Sequence, residues 1–349
     1  MRARSFAAGA LLMALAAGPV AAADAVADVS DSGTATSTTA ITTTATAPVA
    51  GATSTAVPAS GGQASAVPAA AGQAAAVPAP AGATSGTAIY DRFVEGLAQP
   101  ACEDASPRWR AHFAHVPGQL VSGEGEVLPL FGYVVEALRA AHLPTEYALI
   151  PFVESGYRPG ARSGSGPAGL WQFIAVTARN HDIPVRSGYD GRLSPVDATR
   201  AAVRYLKTLH GMFAGDWRLA VMAFNAGEYR VLGALRRHGQ RAANADPEGL
   251  ESLSGITRAY VRKLHALSCL MVEAGGDPAW TRSLDRPVAR LVAVDLADEP
   301  AGLDGYARRN ALDAAHLRRL NPALSGKVPR GHKALVPMAA APAAAGVAN

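Results

Sequence analysis

No segment after the N-terminus is long and apolar enough to span a bilayer, which takes about 20 residues. Nor is there the dense basic run, interleaved with aromatics, that nucleic acid requires; the net charge is only +4 and the arginines are spread. Phosphate-cradling loops and nucleophile elbows are missing. Metal ligands do not cluster: the nine histidines are scattered, and His112 and His115, at helix-face spacing, have no partner ligand. These gaps argue against a multi-span membrane protein, a nucleic-acid binder, a phosphate-loop enzyme, a serine hydrolase and a metalloenzyme, and they imply no cofactor. The mild positive balance suits an acidic polymer or an anionic envelope surface, or serves solubility alone.

What is present begins with residues 1–23, which read as a secretory signal. Arg2 and Arg4 precede the apolar stretch Phe6–Ala17, and Ala21-Ala22-Ala23 offers small residues for cleavage. An uncleaved anchor is the alternative. No cysteine lies near the cleavage site, so there is no lipid-attachment signal. Residues 24–88 are nearly all Ala, Thr, Ser, Gly, Pro and Val, with a ten-residue repeat in AVPASGGQAS, AVPAAAGQAA and AVPAPAGATS. Such a segment cannot bury enough apolar surface to offset chain entropy, and it reads as a flexible spacer. Export leads to an oxidising compartment, where Cys102 and Cys269 can pair; equally, each can be a small buried side chain. Pairing would tie the start of the folded part to a late helix.

From Tyr90 the apolar period is helical. In LPLFGYVVEALRAAHLP, Leu128, Phe131, Val134, Val135 and Leu138 recur at three- and four-residue steps. Ser194 and Pro195 open another helix, Asp216 can cap a third, and GITRAYVRKLHALSCLMVEA is long and amphipathic. The reading is a mainly α domain over 90–286, roughly 190 residues, a normal size for one core. Residues 287–338 form a second unit: a strand at LVAV, short helices in GLDGYARRN and AAHLRRLNP, and a closing strand at KALVP. Residues 339–349 read as a loose tail.

Chemistry is concentrated around PFVESGYRPG. Glu154 falls in the last turn of a helix, ahead of Gly156, with Pro151 and Ile150 beneath it. The carbonyl end of a helix and an apolar face both favour the neutral acid, the form a general acid needs. A frayed surface glutamate is the plainer reading of that position. The following stretch, SGYRPGARSGSGPAGLWQF, carries five glycines and can bring backbone N–H groups, Ser163 and Ser165 close to a ligand. Trp171 offers a flat face of the kind that stacks on sugars, and Gln172 offers a donor and an acceptor. Asn225, in VMAFNAGEYRV, sits at a helix end with its amide free to point outward, or serves as a cap.

VESGY, SGSGPAGLWQF, AFNAGE and AYVRKL resemble, in order and spacing, the four motifs of the family 1 lytic transglycosylases. The chain is similar in particular to their membrane-bound murein transglycosylase D group, through LPTEYALIPFVESGYRP, SGYDGRLSPVDATRAAVRYLKTLHGMFAGDW and NAGEYRV. The likeness is dense over about residues 125–275. It implies a goose-type, lysozyme-like helical catalytic domain that acts on peptidoglycan strands. Glu154 would be the single acid/base. Ser163 and Gln172 would line the glycan site, Asn225 would hold the glycan or orient the reacting sugar, and Tyr260 would hydrogen-bond near Glu154. Three departures stand out. Phe224 replaces a common tyrosine, the lipid-attachment cysteine is absent, and the C-terminal unit resembles a LysM repeat only in degenerate form.

Ordinary glycosidases need two carboxylates, and no convincing second one stands in the motifs. Glu228 follows the NAG turn, where the next helix can carry it outward, and Asp190 and Asp197 have capping or turn explanations. The resemblance accordingly implies non-hydrolytic cleavage of the MurNAc–GlcNAc β-1,4 bond to 1,6-anhydro-MurNAc ends. A hydrolytic muramidase using Glu228 or Asp190, and a non-catalytic peptidoglycan-binding protein, are the rival readings. The expected setting is the periplasm or cell envelope, as a monomer with peripheral envelope association.

Overall fold

The computed structural model describes residues 82–122, 125–299, 301–324 and 331–338. The expected signal (1–23), the tail (339–349) and the spacer up to residue 81 lie outside the described residues. In chain order the first half holds β1 (Ala83–Ser85), α1 (Gly86–Val94), α2 (Pro107–Phe113), α3 (Val116–Val121), α4 (Val127–Ala140), α5 (Ile150–Ser155), α6 (Ala175–Asn180), β2 (Val185–Arg186) and β3 (Tyr189–Asp190). Then come α7 (Pro195–Met212), α8 (Trp217–Ala226), α9 (Glu228–Arg237), α10 (Gly255–Gly275), α11 (Pro278–Leu284), β4 (Pro287–Ala289), β5 (Leu291–Asp295), α12 (Gly302–Arg309), α13 (Ala314–Leu320) and β6 (Lys333–Pro337). The mainly α architecture matches the sequence reading.

Local chemistry explains most helix starts. Ser194 Oγ accepts from the Asp197 amide at 3.2 Å, with Pro195 in the first turn of α7. Asp216 Oδ1 accepts from the Arg218 and Leu219 amides and opens α8. Ser254 Oγ does the same for Thr257 at the start of α10. On α4 the predicted stripe is the buried one: Leu128, Phe131, Val134, Val135 and Leu138 are all closed to solvent. Helix α10 packs against α2 and α8, and α7 against α4 and α8. The disulfide Cys102–Cys269 forms, across 167 residues, and joins the turn before α2 to α10.

Two expected boundaries are corrected. The spacer was expected to run to residue 88, but β1 pairs antiparallel with β4, Thr84 opposite Val288, and α1 begins at Gly86. Ala-Thr-Ser carries no strand signal of its own; the partner strand lies about two hundred residues away and supplies the pairing. For the same reason β4 belongs with the N-terminal strand, so the C-terminal unit begins at β5 and not at residue 287. There β5 and β6 pair antiparallel from Leu291–Pro337 to Asp295–Lys333, with α12 and α13 between them, the expected strand–helix–helix–strand order. This unit shares one continuous core with the helical part. Its β5 lies on α4 and its β6 on α7. His332 stacks on Tyr189 at 4.0 Å and sits 3.3 Å from Asp197 Oδ2. No helix among the described residues is long and apolar enough to cross a membrane.

Candidate active site

Glu154 lies in the last turn of α5, as its sequence context predicts. The helix before it is not continuous: residues Thr145–Leu149 form a 3-10 turn, and Pro151 restarts the chain as α5. Gly156 closes α5 in the left-handed conformation, φ +59°, which a glycine adopts without a side-chain penalty. The next residue, Tyr157, is left-handed too, and is held there by its hydroxyl, which donates to the Ala148 carbonyl at 2.8 Å.

The Glu154 carboxyl is half-buried. Tyr260, fully enclosed on α10, donates its hydroxyl to Glu154 Oε1 in a short hydrogen bond. Burial pushes the Glu154 pKa above the ordinary glutamate value, while the Tyr260 hydrogen bond and the Lys263 charge pull the other way without overcoming it. The site therefore keeps a proton on Glu154 more readily than water does, and still offers two groups that favour the anion. Lys263 follows Tyr260 by three residues, so both project from one face of α10. Its ammonium lies 4.7 Å from the Trp109 ring, and burial lowers its pKa against the raising effect of Glu154. Sequence reading missed Lys263; the Tyr-x-x-Lys spacing on one helix was the available signal.

The glycine-rich loop is anchored beside Glu154. Ser155 Oγ, one residue on, donates toward the carbonyls of Leu170 at 2.8 Å and Pro151 at 3.1 Å. Arg192, also missed, organises the rest. Its guanidinium donates to the Gly166 and Phe173 carbonyls at 2.8 and 3.2 Å. Asp190 holds it in turn, Nη2 to Oδ2 at 2.8 Å and Nε to Oδ1 at 2.9 Å. Burial would raise the Asp190 pKa, but the bonds and charge of Arg192, with Arg162, outweigh it and leave the carboxyl below its usual value. Gly169, φ +81°, presses so close to the Arg192 carbonyl that an added Cβ would sit 1.7 Å from its oxygen.

Ser163 and Gln172 both belong to this loop. Ser163 Oγ and Ser165 Oγ are 2.8 Å apart. Gln172, left-handed at φ +46°, turns its amide back to donate to the Gly169 carbonyl at 2.7 Å. Trp171 does not face the cleft. Its side chain is 1% exposed, its Nε1 donates to Thr199 Oγ1 at 3.0 Å, and Phe224 meets its edge. The expected sugar-stacking role is corrected: this ring is core, held there by its bond to Thr199 on α7 and its packing on Phe224 of α8. Phe224 is likewise core, packed among Trp171, Phe173 and Tyr205.

Asn225 is the penultimate residue of α8, and its side-chain oxygen is buried with no hydrogen-bond partner among the described residues. A buried amide oxygen left unpaired is costly, and such groups mark sites a ligand can complete. The other candidate acids are engaged. Glu228 Oε2 accepts from the Tyr205 hydroxyl at 3.0 Å. Asp197, 3% exposed, receives the Tyr189 hydroxyl at 2.6 Å and an Arg200 N–H at 3.0 Å.

A carboxyl whose pKa burial raises, hydrogen-bonded by a phenol and next to a glycine-rich loop, makes a candidate acid/base site on a helical frame. Residues 134–247 match the family model described as the transglycosylase SLT domain. A "Putative tributyltin chloride resistance protein" of Alteromonas sp. (strain M-1) is 32% identical over 169 residues, 48% of this chain and 80% of that protein. Membrane-bound lytic murein transglycosylase D of Escherichia coli (strain K12) is 37% identical over 143 residues, 41% of this chain and 31% of that protein. The chain thus aligns with under a third of that relative's length. Among solved structures, the 70 kDa soluble lytic transglycosylase Slt70 of Escherichia coli matches 51% of this chain and 31% of its own, at TM-score 0.34 and 20% identity. The chain belongs to the transglycosylase SLT family.

Proposed function

We propose that this protein is a peptidoglycan lytic transglycosylase. Glu154 carries the proposal: one carboxyl, its pKa raised by burial, hydrogen-bonded by Tyr260 and near the positive charge of Lys263. Protonated Glu154 gives its proton to the glycosidic oxygen between N-acetylmuramic acid and N-acetylglucosamine, and the C1–O bond breaks. The muramic N-acetyl group stabilises the cationic centre. Tyr260 and Lys263 favour the resulting Glu154 carboxylate, which then takes the proton of the same sugar's 6-hydroxyl as O6 bonds to C1. Atoms balance without water, and the product ends in a 1,6-anhydro sugar. Asn225 supplies an unpaired acceptor for a glycan N–H or O–H, and Ser163 and Gln172, on the glycine-rich loop, would line the glycan site.

The engagement of Asp190 by two arginines, of Asp197 by Tyr189 and Arg200 beside His332, and of Glu228 by Tyr205 supports a one-carboxylate reaction over hydrolysis. The strand–helix–helix–strand unit after residue 290 supports a degenerate LysM-like module, and the basic, spacer-bearing N-terminus supports export to the periplasm or envelope. Mass spectrometry of purified peptidoglycan digests tests the reading. Ends one water lighter than hydrolysis products, lost in Glu154→Gln, are expected. Water-added reducing ends would establish the muramidase, and no cleavage by either protein would leave a binding role.

A further inference from the structure

A cavity of about 310 Å³ opens between the start of α9 and the 252–257 segment that leads into α10. Its walls include Ala226, Arg230, Arg237, Ser252, Ser254 and Thr257. It adjoins the candidate active site through two helices at once. Ala226 follows Asn225 at the end of α8, and Thr257 lies one turn before Tyr260 on α10. The cavity is basic. Neither Arg230 nor Arg237 is ion-paired with a carboxylate among the described residues; Arg237 only donates to the Ser252 hydroxyl, at 3.2 Å. Glu248, in the loop before this segment, is taken by Arg262 at 2.8 Å, and Glu228 accepts from Tyr205.

Outside the cavity's walls, two large apolar side chains adjacent to it in sequence are exposed: Tyr229, next to Arg230, at 75%, and Ile256, next to Thr257, at 51%. Two guanidinium groups without acidic partners among the described residues, with Ser252, Ser254 and Thr257 on the other wall, match an anionic ligand, and the exposed Tyr229 next in sequence to Arg230 can meet an apolar body. Arg is the side chain best suited to a carboxylate, through two parallel N–H donors. A bare glycan backbone of N-acetylated sugars carries no anion at this reach except the lactyl arm of muramic acid, and that arm bears either a peptide or its own carboxylate.

We infer that this cavity is a carboxylate subsite for the peptide stem carried by muramic acid, with Arg230 and Arg237 as specificity-determining residues. The inference rests on the proposed glycan substrate. Tyr229 covers the apolar side chains of the stem, and the arginines hold a stem carboxylate, so that a peptide-bearing sugar is seated beside Asn225 and Glu154. The arginines are exposed, so the gain is that of screened charge-assisted bonds, about five- to tenfold in affinity.

The test is calorimetric binding to the Glu154→Gln protein, which reads the cavity whether or not the wild type cleaves. The probes are a soluble peptide-bearing tetrasaccharide and the same tetrasaccharide with its peptides removed by an amidase, which leaves the lactyl carboxylate as the competing source. Five- to tenfold tighter binding of the peptide-bearing probe is expected. It should be lost on adding Arg230→Gln and Arg237→Gln, weakened by 0.5 M salt, and largely kept with Arg230→Lys and Arg237→Lys. Equal binding of the two probes, binding of neither, or a preference that survives the glutamine substitutions would overturn the inference. Anhydro ends from wild-type digests report on the enzymatic reading separately, so the two can fail independently. An unchanged melting temperature of the double variant excludes misfolding.

Discussion

Breaking the Cys102–Cys269 disulfide should lower stability markedly and leave the chemistry nearly intact. The bond closes a loop across 167 residues. The loop-entropy relation for that length gives about 5 kcal/mol at 25 °C, and measured native disulfides usually contribute about 2–4. For a fold of this size each kcal/mol moves the melting temperature by about 2–4 °C, so a drop of about 5–15 °C is expected. Cys102 is half-exposed, so reductant can reach the bond, whereas Cys269 is fully enclosed. The substitution of choice is therefore Cys102→Ala, which leaves no new polar atom in the core. Scanning calorimetry should give one common lowered value for wild type in dithiothreitol and for Cys102→Ala, relative to wild type without reductant. Tyr260 lies nine residues upstream of Cys269, on a stretch of α10 that still packs on α8. Murein release at 25 °C should accordingly stay within about twofold, an estimate that assumes full folding well below the transition. A melting temperature unmoved by both reduction and substitution would refute the reasoning, as would activity lost in a protein that remains folded.

Glu154→Gln should reduce turnover by about 10²–10⁴-fold, the usual worth of a general acid/base. The same change should raise stability by about 0.5–2 kcal/mol at pH 8 and by less at pH 4. The folded carboxyl holds its proton above the ordinary glutamate pKa, so the wild type loses stability as pH rises from that value through the raised one; chemical denaturation at both pH values checks it. In Tyr260→Phe the missing hydroxyl no longer favours the anion, so the alkaline limb of kcat/KM should move to higher pH. A limb that stays still or moves down would count against the assigned hydrogen bond. Trp171→Phe should cost about 1–3 kcal/mol of stability, from the lost Nε1–Thr199 bond and packing. Its KM for murein should not change, and a raised KM would return Trp171 to the cleft. Gly169→Ala should fail to fold or lose more than about 2 kcal/mol in urea unfolding, since its φ and the Arg192 carbonyl both exclude a side chain.

Much of the frame was legible along the chain because helices are local structures. Apolar residues at three- and four-residue steps, Ser194, Asp216 and Ser254 as caps, and the glycine after Glu154 all act within a turn or two of where they stand. The poised position of Glu154 could be read for the same reason, since the helix end and the apolar residues beneath it are its own neighbours in sequence. Tertiary structure alone decided the rest. It packed Trp171 into the core against Thr199 and Phe224, and made a strand of Ala83–Ser85 through a partner at Pro287–Ala289. It also chose Lys263 and Tyr260 as the neighbours of Glu154, and put Arg192 under the glycine-rich loop. Each of these depends on groups far apart in the chain, and no local propensity encodes a contact whose other half arrives only when the fold closes.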